Sequence, residues 1–292
     1  MFDIKNIIEP ETLEEAVKLK GENKELKIIA GGTDVLIKLR HGSWDGVELL
    51  SLKKVKELDF IREDEDGFIE IGATTCFSKV FRSPIVQEHL RSLGQGAVSV
   101  GGPQIRNMAT IGGNVCNGAV SADSAPSLFA FNGQVKLQSS RGQRIVPITE
   151  FYKGPGRVFI EEDEILVSLL IDKEYYEGTK SEYIKYSNRK AMDIAMLGIC
   201  TVARIEDGIF KDVRIALGVA APTPIRCEEA EIYAVGKAAT EENIKAIGEL
   251  AVNSAKARDS WRASKAYREH LIEELTVRAL RKIVEESGVS NE

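Results

Sequence analysis

Apolar positions in this chain alternate between strand-like runs and helical spacing, and the changes between the two outline the elements. Ala16, Val17 and Leu19 follow Thr12 and Glu15, which have the spacing of a capping box, with Gly21 as the expected stop. The solid apolar run 26–30 predicts a buried strand. Val35, Leu36, Ile37 and Leu39 predict a short helix, and 47–52 a second strand. Residues 1–55 therefore read as a small α/β unit. Runs 58–61 and 68–71 flank the acidic turn Glu63-Asp64-Glu65-Asp66-Gly67, a hairpin signal with a solvated tip. Residues 75–100 read as helical, with Pro84 opening a second helix.

Beyond that point periodicity fades. Residues 101–126 carry Gly, Asn, Ser, Asp and Pro but few charges, and they predict a long irregular stretch of the kind that serves a site. A short helix over 124–131 follows. A hairpin over 134–138 and 144–148 is next, then a tight Gly154-Pro155-Gly156 loop and a strong strand over 164–171. The polar stretch 173–180 marks a boundary. A strand over 182–187 and a hairpin of 194–205 with 209–219, turned at Asp207-Gly208, precede Pro222-Thr223-Pro224. The remainder, 227–235, 241–257 and 264–286, is amphipathic helix suited to covering a sheet.

Two glycine pairs sit at the junctions of these elements: Ala30-Gly31-Gly32-Thr33-Asp34 and Thr110-Ile111-Gly112-Gly113-Asn114. Adjacent glycines permit positive φ and leave no side chain between backbone N–H groups and an anion. Thr33 and Asn114 add side-chain donors. Either each pair is a plain turn, or the two together hold the two phosphates of one pyrophosphate from opposite sides. The first pair falls at a strand-to-helix turn.

Composition narrows the class. The 292 residues suggest about two domains, or three small ones. A hydrophobic fraction of 43%, a charged fraction of 29%, net charge −6 and pI near 5.4 describe a globular chain without the basic face of a nucleic-acid binder. No apolar run is long enough to span a bilayer. The opening Met1-Phe2-Asp3-Ile4-Lys5 does not resemble a secretory signal, so a reduced, cytoplasmic location is expected. Cys76, Cys116, Cys200 and Cys227 are scattered without a Cys-x-x-Cys, and His41, His89 and His270 lie far apart. No metal site is expected from this chain.

The Rossmann and phosphate-loop fingerprints are absent, as are the hydrolase, zinc-protease and deaminase motifs. Any dinucleotide is bound by another architecture. Asp123, nine residues beyond Asn114, either caps the helix that follows or accepts from sugar or ribityl hydroxyls, or does both. Arg106 either meets a phosphate or flavin edge or makes a structural ion pair.

At these residues the sequence resembles the FAD-binding subunits of the molybdenum hydroxylases, a family that includes xanthine, carbon monoxide and nicotinate dehydrogenases and 4-hydroxybenzoyl-CoA reductase. The resemblance rests on Ile29 to Asp34, Pro103-Gln104-Ile105-Arg106-Asn107, Thr110 to Asn114 and Ala122-Asp123-Ser124-Ala125-Pro126. It continues through Gly154-Pro155-Gly156, Asp163-Glu164-Ile165-Leu166, the segment Gly218 to Arg226, and Trp261-Arg262-Ala263-Ser264-Lys265 with Tyr267-Arg268, and so covers practically the whole chain in order. The Asp259 to Ser264 stretch and Cys116-Asn117-Gly118 look most like bacterial xanthine dehydrogenase FAD subunits.

The resemblance implies an α+β chain with a PCMH-type, vanillyl-alcohol-oxidase-like FAD-binding fold. Two α/β subdomains, 1–55 and 56–175, would hold FAD between them, followed by a C-terminal α+β domain, 176–292. Lys27, Ile28, Ile29, Ala30, Gly31, Gly32, Thr33 and Asp34, with Ala109, Thr110, Ile111, Gly112, Gly113 and Asn114, match the family's pyrophosphate contacts. Asp123 matches a polar FAD contact, and Leu166 (or Ile165) and Lys185 match positions beside the ring portions. No side chain is expected to act as a catalytic acid or base. The implied role is electron transfer from [2Fe-2S] clusters on one partner subunit, fed by a molybdenum cofactor on another, through FAD to NAD⁺, with no membrane insertion. The extra-cluster insertion of some benzoyl-CoA-type members is absent. A FAD subunit of a related hydroxylase, a self-contained flavin oxidoreductase and a flavin-free assembly module are the alternatives.

Overall fold

The computed structural model describes residues 3–288. Three large sheets organise them, with a small two-stranded ribbon of Tyr152–Gly154 and Arg157–Val158 beside them. The first is parallel, with Val47–Ser51 between Ile4–Ile8 and Lys27–Ile29. Helices Leu13–Glu22 and Val35–Arg40 make its crossovers. Thr12 Oγ accepts from the Glu15 N–H at 3.2 Å, but the Glu15 carboxylate accepts from Glu11, so half of the capping box forms. Gly21 does not stop this helix. It lies inside it, and the chain leaves at Asn23, whose N–H bonds to the Leu19 carbonyl at 3.0 Å. The 27–29 strand is only half-buried, unlike its expected solid core, because it is an edge strand beside the first glycine pair.

The second sheet is antiparallel. Its order is Ile61–Glu63, Ile69–Gly72, Ile165–Ile171, Gln134–Ser139, Gly142–Pro147. The central strand is buried along its whole length. Ile165 and Val167 enter a core with Leu26, Leu50 and Leu58 under the first sheet. Leu166, Leu169 and Ile171 enter a second core with Phe77, Ile111 and Val115. Burial on both faces explains why this strand reads as a solid apolar run rather than an alternation. Its one polar residue, Ser168, donates to Glu70 Oε1 at 2.6 Å.

Three helices, Phe77–Arg82, Pro84–His89 and Arg91–Ser99, fill the region expected to be helical. The stretch expected to be irregular is not so. It contains Pro103–Arg106 and Ile111–Asn117, followed by Ala125–Ala130. Thr110 caps Ile111–Asn117 by accepting from the Gly113 N–H at 3.2 Å, and Gly118, at φ 61°, ends it. The second glycine pair is thus the first turn of a helix, not a loop.

The third sheet is antiparallel, in the order Lys180–Tyr186, Leu197–Glu206, Ile209–Gly218, Ile225–Arg226. Asp207 and Gly208, at φ 52° and 71°, form the hairpin turn whose twist matches the flanking strands. Helices Glu228–Ala234, Glu241–Val252 and Lys265–Glu286 bury one face, where Ile199, Phe210 and Ile215 meet Ile244, Leu275 and Leu280. From the other face Tyr183, Cys200, Val202 and Ala216 join the core of the second sheet. That shared core brings the third sheet against the helices beside the second glycine pair. No helix among the described residues is long and apolar enough to cross a membrane.

Candidate functional site

The first glycine pair packs against the backbone that leads into the second. A Cβ on Gly31 would lie 1.9 Å from the Met108 carbonyl oxygen and 3.0 Å from Ala109 Cα. Only glycine lets these backbones approach so closely. Gly32 has φ 75°, and Ile29 and Leu36 flank its open side. Among the described residues, the N–H groups of Gly32, Thr33 and Asp34 find no acceptor in the protein; Gly32 and Thr33 are half-buried and Asp34 is exposed. Behind the turn, Lys38 Nζ donates to Asn117 Oδ1 at 3.1 Å and ties the helix after the first pair to the helix of the second.

The second pair divides its work. Gly112 is buried, and a Cβ there would collide with the Ala73 backbone; its N–H bonds to the Ala73 carbonyl at 3.0 Å. Ile111 likewise bonds to Thr75. Those two residues seat the helix. Gly113 is exposed and faces outward, with only its own cap, Thr110 Oγ, near a would-be Cβ. Asn114 accepts from Ser124 Oγ at 2.7 Å, which leaves its amide NH₂ without a protein acceptor among the described residues.

Next to Ser124 stands Asp123, 7% exposed. It does not cap the following helix: the cap position is Ser124, whose hydroxyl makes no capping bond and turns to Asn114 instead. Instead the Asp123 carboxylate is held at both oxygens. The Tyr183 hydroxyl donates to Oδ1 and Lys185 Nζ to Oδ2, each at 2.8 Å. Lys185 also donates to the Ser99 carbonyl at 3.0 Å, so its ammonium keeps one hydrogen uncommitted. Burial raises the Asp123 pKa, and the charge and hydrogen bond of Lys185 and the bond from Tyr183 oppose it. Burial and the adjacent carboxylate push the Tyr183 phenol well above its ordinary value, so it stays a donor.

Among the other candidates, Lys27, Ile28 and Ala30 lie half-buried beside the first pair, and Asp34 is exposed at the start of the next helix. Ala109 and Thr110 are buried where the chain nears Gly31. Leu166 shares a core with the 111–117 helix, whereas Ile165 lies in the other core. Arg106 makes no ion pair among the described residues: its guanidinium donates through Nη1 to the Val100 and Gly101 carbonyls and braces the preceding turn. Sequence reasoning missed Tyr183 and Ser124. Tyr183 was within reach, because a strand places residues 183 and 185 on one face.

A dinucleotide such as FAD needs a close-approach backbone, free N–H donors for its pyrophosphate and polar groups for its sugars and ring. The Gly31–Met108 contact, the unpaired N–H groups of 32–34, the Asn114 amide and the Lys185 ammonium meet those needs. Burial pushes the Cys116 and Cys227 thiols up to about 12 and Cys200 to about 11, so they stay protonated; no group of three or more metal-ligand side chains occurs among the described residues.

The chain matches the family model described as the FAD binding domain in molybdopterin dehydrogenase over residues 2–172, and the carbon monoxide dehydrogenase flavoprotein C-terminal domain over 182–283. It belongs to the FAD-binding medium subunits of the molybdopterin hydroxylase family. It is 41% identical over 288 residues to the xanthine dehydrogenase FAD-binding subunit of Escherichia coli O157:H7, covering 99% of both chains. It is 34% identical over 244 residues to the nicotinate dehydrogenase FAD-subunit of Eubacterium barkeri, covering 81% of each. Its structure is similar to a chain of carbon monoxide dehydrogenase from Hydrogenophaga pseudoflava, with TM-score 0.91 at 30% identity, over 97% of this chain and 98% of that one. The fold is therefore that of the carbon monoxide dehydrogenase flavoproteins, and the chain is a FAD-binding subunit of a molybdenum hydroxylase complex.

Proposed function

We propose that this chain is the FAD subunit of a xanthine dehydrogenase, taking electrons from [2Fe-2S] clusters on one partner subunit, fed by a molybdenum cofactor on another, and delivering them to NAD⁺. The observation that carries the reading is the close backbone approach of Gly31 to Met108 and Ala109, with the buried Asp123–Lys185 pair nearby in the chain's second core, in a chain 41% identical over 288 residues to a xanthine dehydrogenase FAD-binding subunit. When bound, FAD would supply the redox chemistry: two electrons arriving singly from the cluster side, together with a proton from solvent, would leave as one hydride equivalent.

The chain's own residues bind and orient. Gly32, Thr33 and Asp34 offer N–H groups to the pyrophosphate, and Gly113 and the Asn114 amide approach it from the second turn. Lys185, paired with Asp123 and bonded to the Ser99 carbonyl, would offer its remaining N–H and its charge to the ring portions of the cofactor. Leu166 closes the apolar floor beside the 111–117 helix. No side chain of this chain is needed as an acid or base in the final hydride step. Anaerobic addition of NADH to the FAD-loaded chain tests the reading. Bleaching of the flavin absorbance is expected; a flavin that dithionite reduces but NADH does not would place the acceptor elsewhere.

A further inference from the structure

Besides Asp123 and Lys185, a third buried polar side chain stands in this site without a role. The Tyr183 hydroxyl, 5% exposed at the residue level, has Asp123 Oδ1 as its partner. One helix holds all three members of the group. On Arg91–Ser99, Gln95 Oε1 accepts from the Tyr183 N–H at 2.8 Å while its amide donates to Glu182, so the amide is locked at both ends. One residue on, a Cβ at Gly96 would lie 2.6 Å from the Asp123 carbonyl oxygen, so only glycine lets Asp123 sit there. A turn later the Ser99 carbonyl accepts a hydrogen bond from Lys185 Nζ. Glu182 in turn is anchored by Lys282 of the C-terminal helix at 2.6 Å.

We infer that Tyr183 is a positioning residue for the flavin site: its hydroxyl occupies Asp123 Oδ1, fixes the carboxylate plane, and so aims the uncommitted N–H of Lys185 at the cofactor. This inference rests on the FAD reading above. The geometry is economical in donors. A carboxylate buried to this degree needs more than one donor to remain ionised, and Lys185 alone would have to swing toward both oxygens to supply them. With Tyr183 on Oδ1, Lys185 bonds Oδ2 and Ser99 and retains one hydrogen for the ligand. Without it, that hydrogen is drawn back to Asp123. Asp123 would also carry less compensated negative charge beside the ring, which disfavours reduction.

Tyr183→Phe removes one oxygen and keeps the ring in its core, with Ser92→Ala on the same helix as a control outside the group. FAD affinity, by titration of the purified apoprotein, and the flavin midpoint potential are the readouts. Tyr183→Phe should weaken FAD binding about tenfold, the equivalent of about 1.4 kcal/mol, and lower the midpoint potential. Ser92→Ala should leave both at the wild-type values. Should Tyr183→Phe prove unstable, Gly96→Ala, which displaces Asp123 from the opposite side, should shift both in the same directions. Wild-type affinity and potential in folded Tyr183→Phe would overturn the inference. Absence of FAD binding by the wild-type chain would instead overturn the functional reading beneath it.

Discussion

Replacing Gly31 by alanine tests the contact on which the site is built. The added Cβ would sit 1.9 Å from the Met108 carbonyl oxygen. Because both partners are backbone, no rotamer change relieves the clash, and the two glycine turns must separate by about 1 Å, with an overpacking cost of roughly 1–3 kcal/mol. For a chain of this size that lowers Tm by roughly 2–12 °C. The larger effect falls on the cofactor, since a displacement of about 1 Å in a positioned binding group can cost on the order of 100-fold. The assay is fluorescence titration of apoprotein with FAD, beside thermal unfolding of the same sample. Gly31→Ala should remain folded and bind FAD at least tenfold more weakly, by about 1.4 kcal/mol or more. A variant with wild-type Tm and wild-type FAD affinity would refute the claim that this backbone contact sets the width of the site.

Other consequences are equally direct. Asp123→Ala strands the Lys185 ammonium, 12% exposed, without its counter-ion, and should cost roughly 3–5 kcal/mol in urea unfolding. The double variant with Lys185→Met should recover most of that stability but not FAD binding. Gly21 lies inside a helix with only ordinary contact to Ser140. Gly21→Ala should therefore raise stability by roughly 0.5–1 kcal/mol in the same assay and leave FAD affinity unchanged. Burial alone would raise the pKa of Glu164, but its bonds from Arg144 and the Glu161 N–H bring it below the ordinary 4.5. A carboxylate lowered on folding stabilises above its unfolded pKa and loses that contribution as pH falls through the folded value. Stability by urea unfolding should thus decline below about pH 4.5, and Arg144→Ala should flatten the decline; an unchanged pH slope in that variant would dismiss the pair as the cause.

Much of the fold was legible because its signals are local. Asp207-Gly208 announced its hairpin through the positive φ that such a turn demands, and the amphipathic spacing over 241–257 and 264–286 announced the helices Glu241–Val252 and Lys265–Glu286. The errors share another cause. Strand 4–8 escaped notice because it is mostly exposed and pairs with Val47–Ser51, some forty residues away. Helix Ile111–Asn117 was hidden by Gly-Gly-Asn, poor helix formers held in place by bonds from Ile111 and Gly112 to Thr75 and Ala73. Gly21 mimicked a stop because a helix C-terminus is decided by what the next N–H can reach. In the site, the glycine pairs and Asp123 stood out by composition. Their mutual contact, and the Tyr183 and Lys185 bonds that claim both oxygens of Asp123, depend on the third sheet folding against the second core, which no local pattern encodes.

The central claim is that the glycine turns and the Asp123–Lys185 pair hold FAD. The most direct measurement is the cofactor content of the purified chain: the absorbance spectrum, the identity of the released flavin and the metal content of the same sample, before and after reconstitution with FAD. The account predicts one FAD per chain, with no stoichiometric iron or molybdenum. A chain that takes up no flavin after reconstitution, or that carries a metal centre of its own, would contradict it.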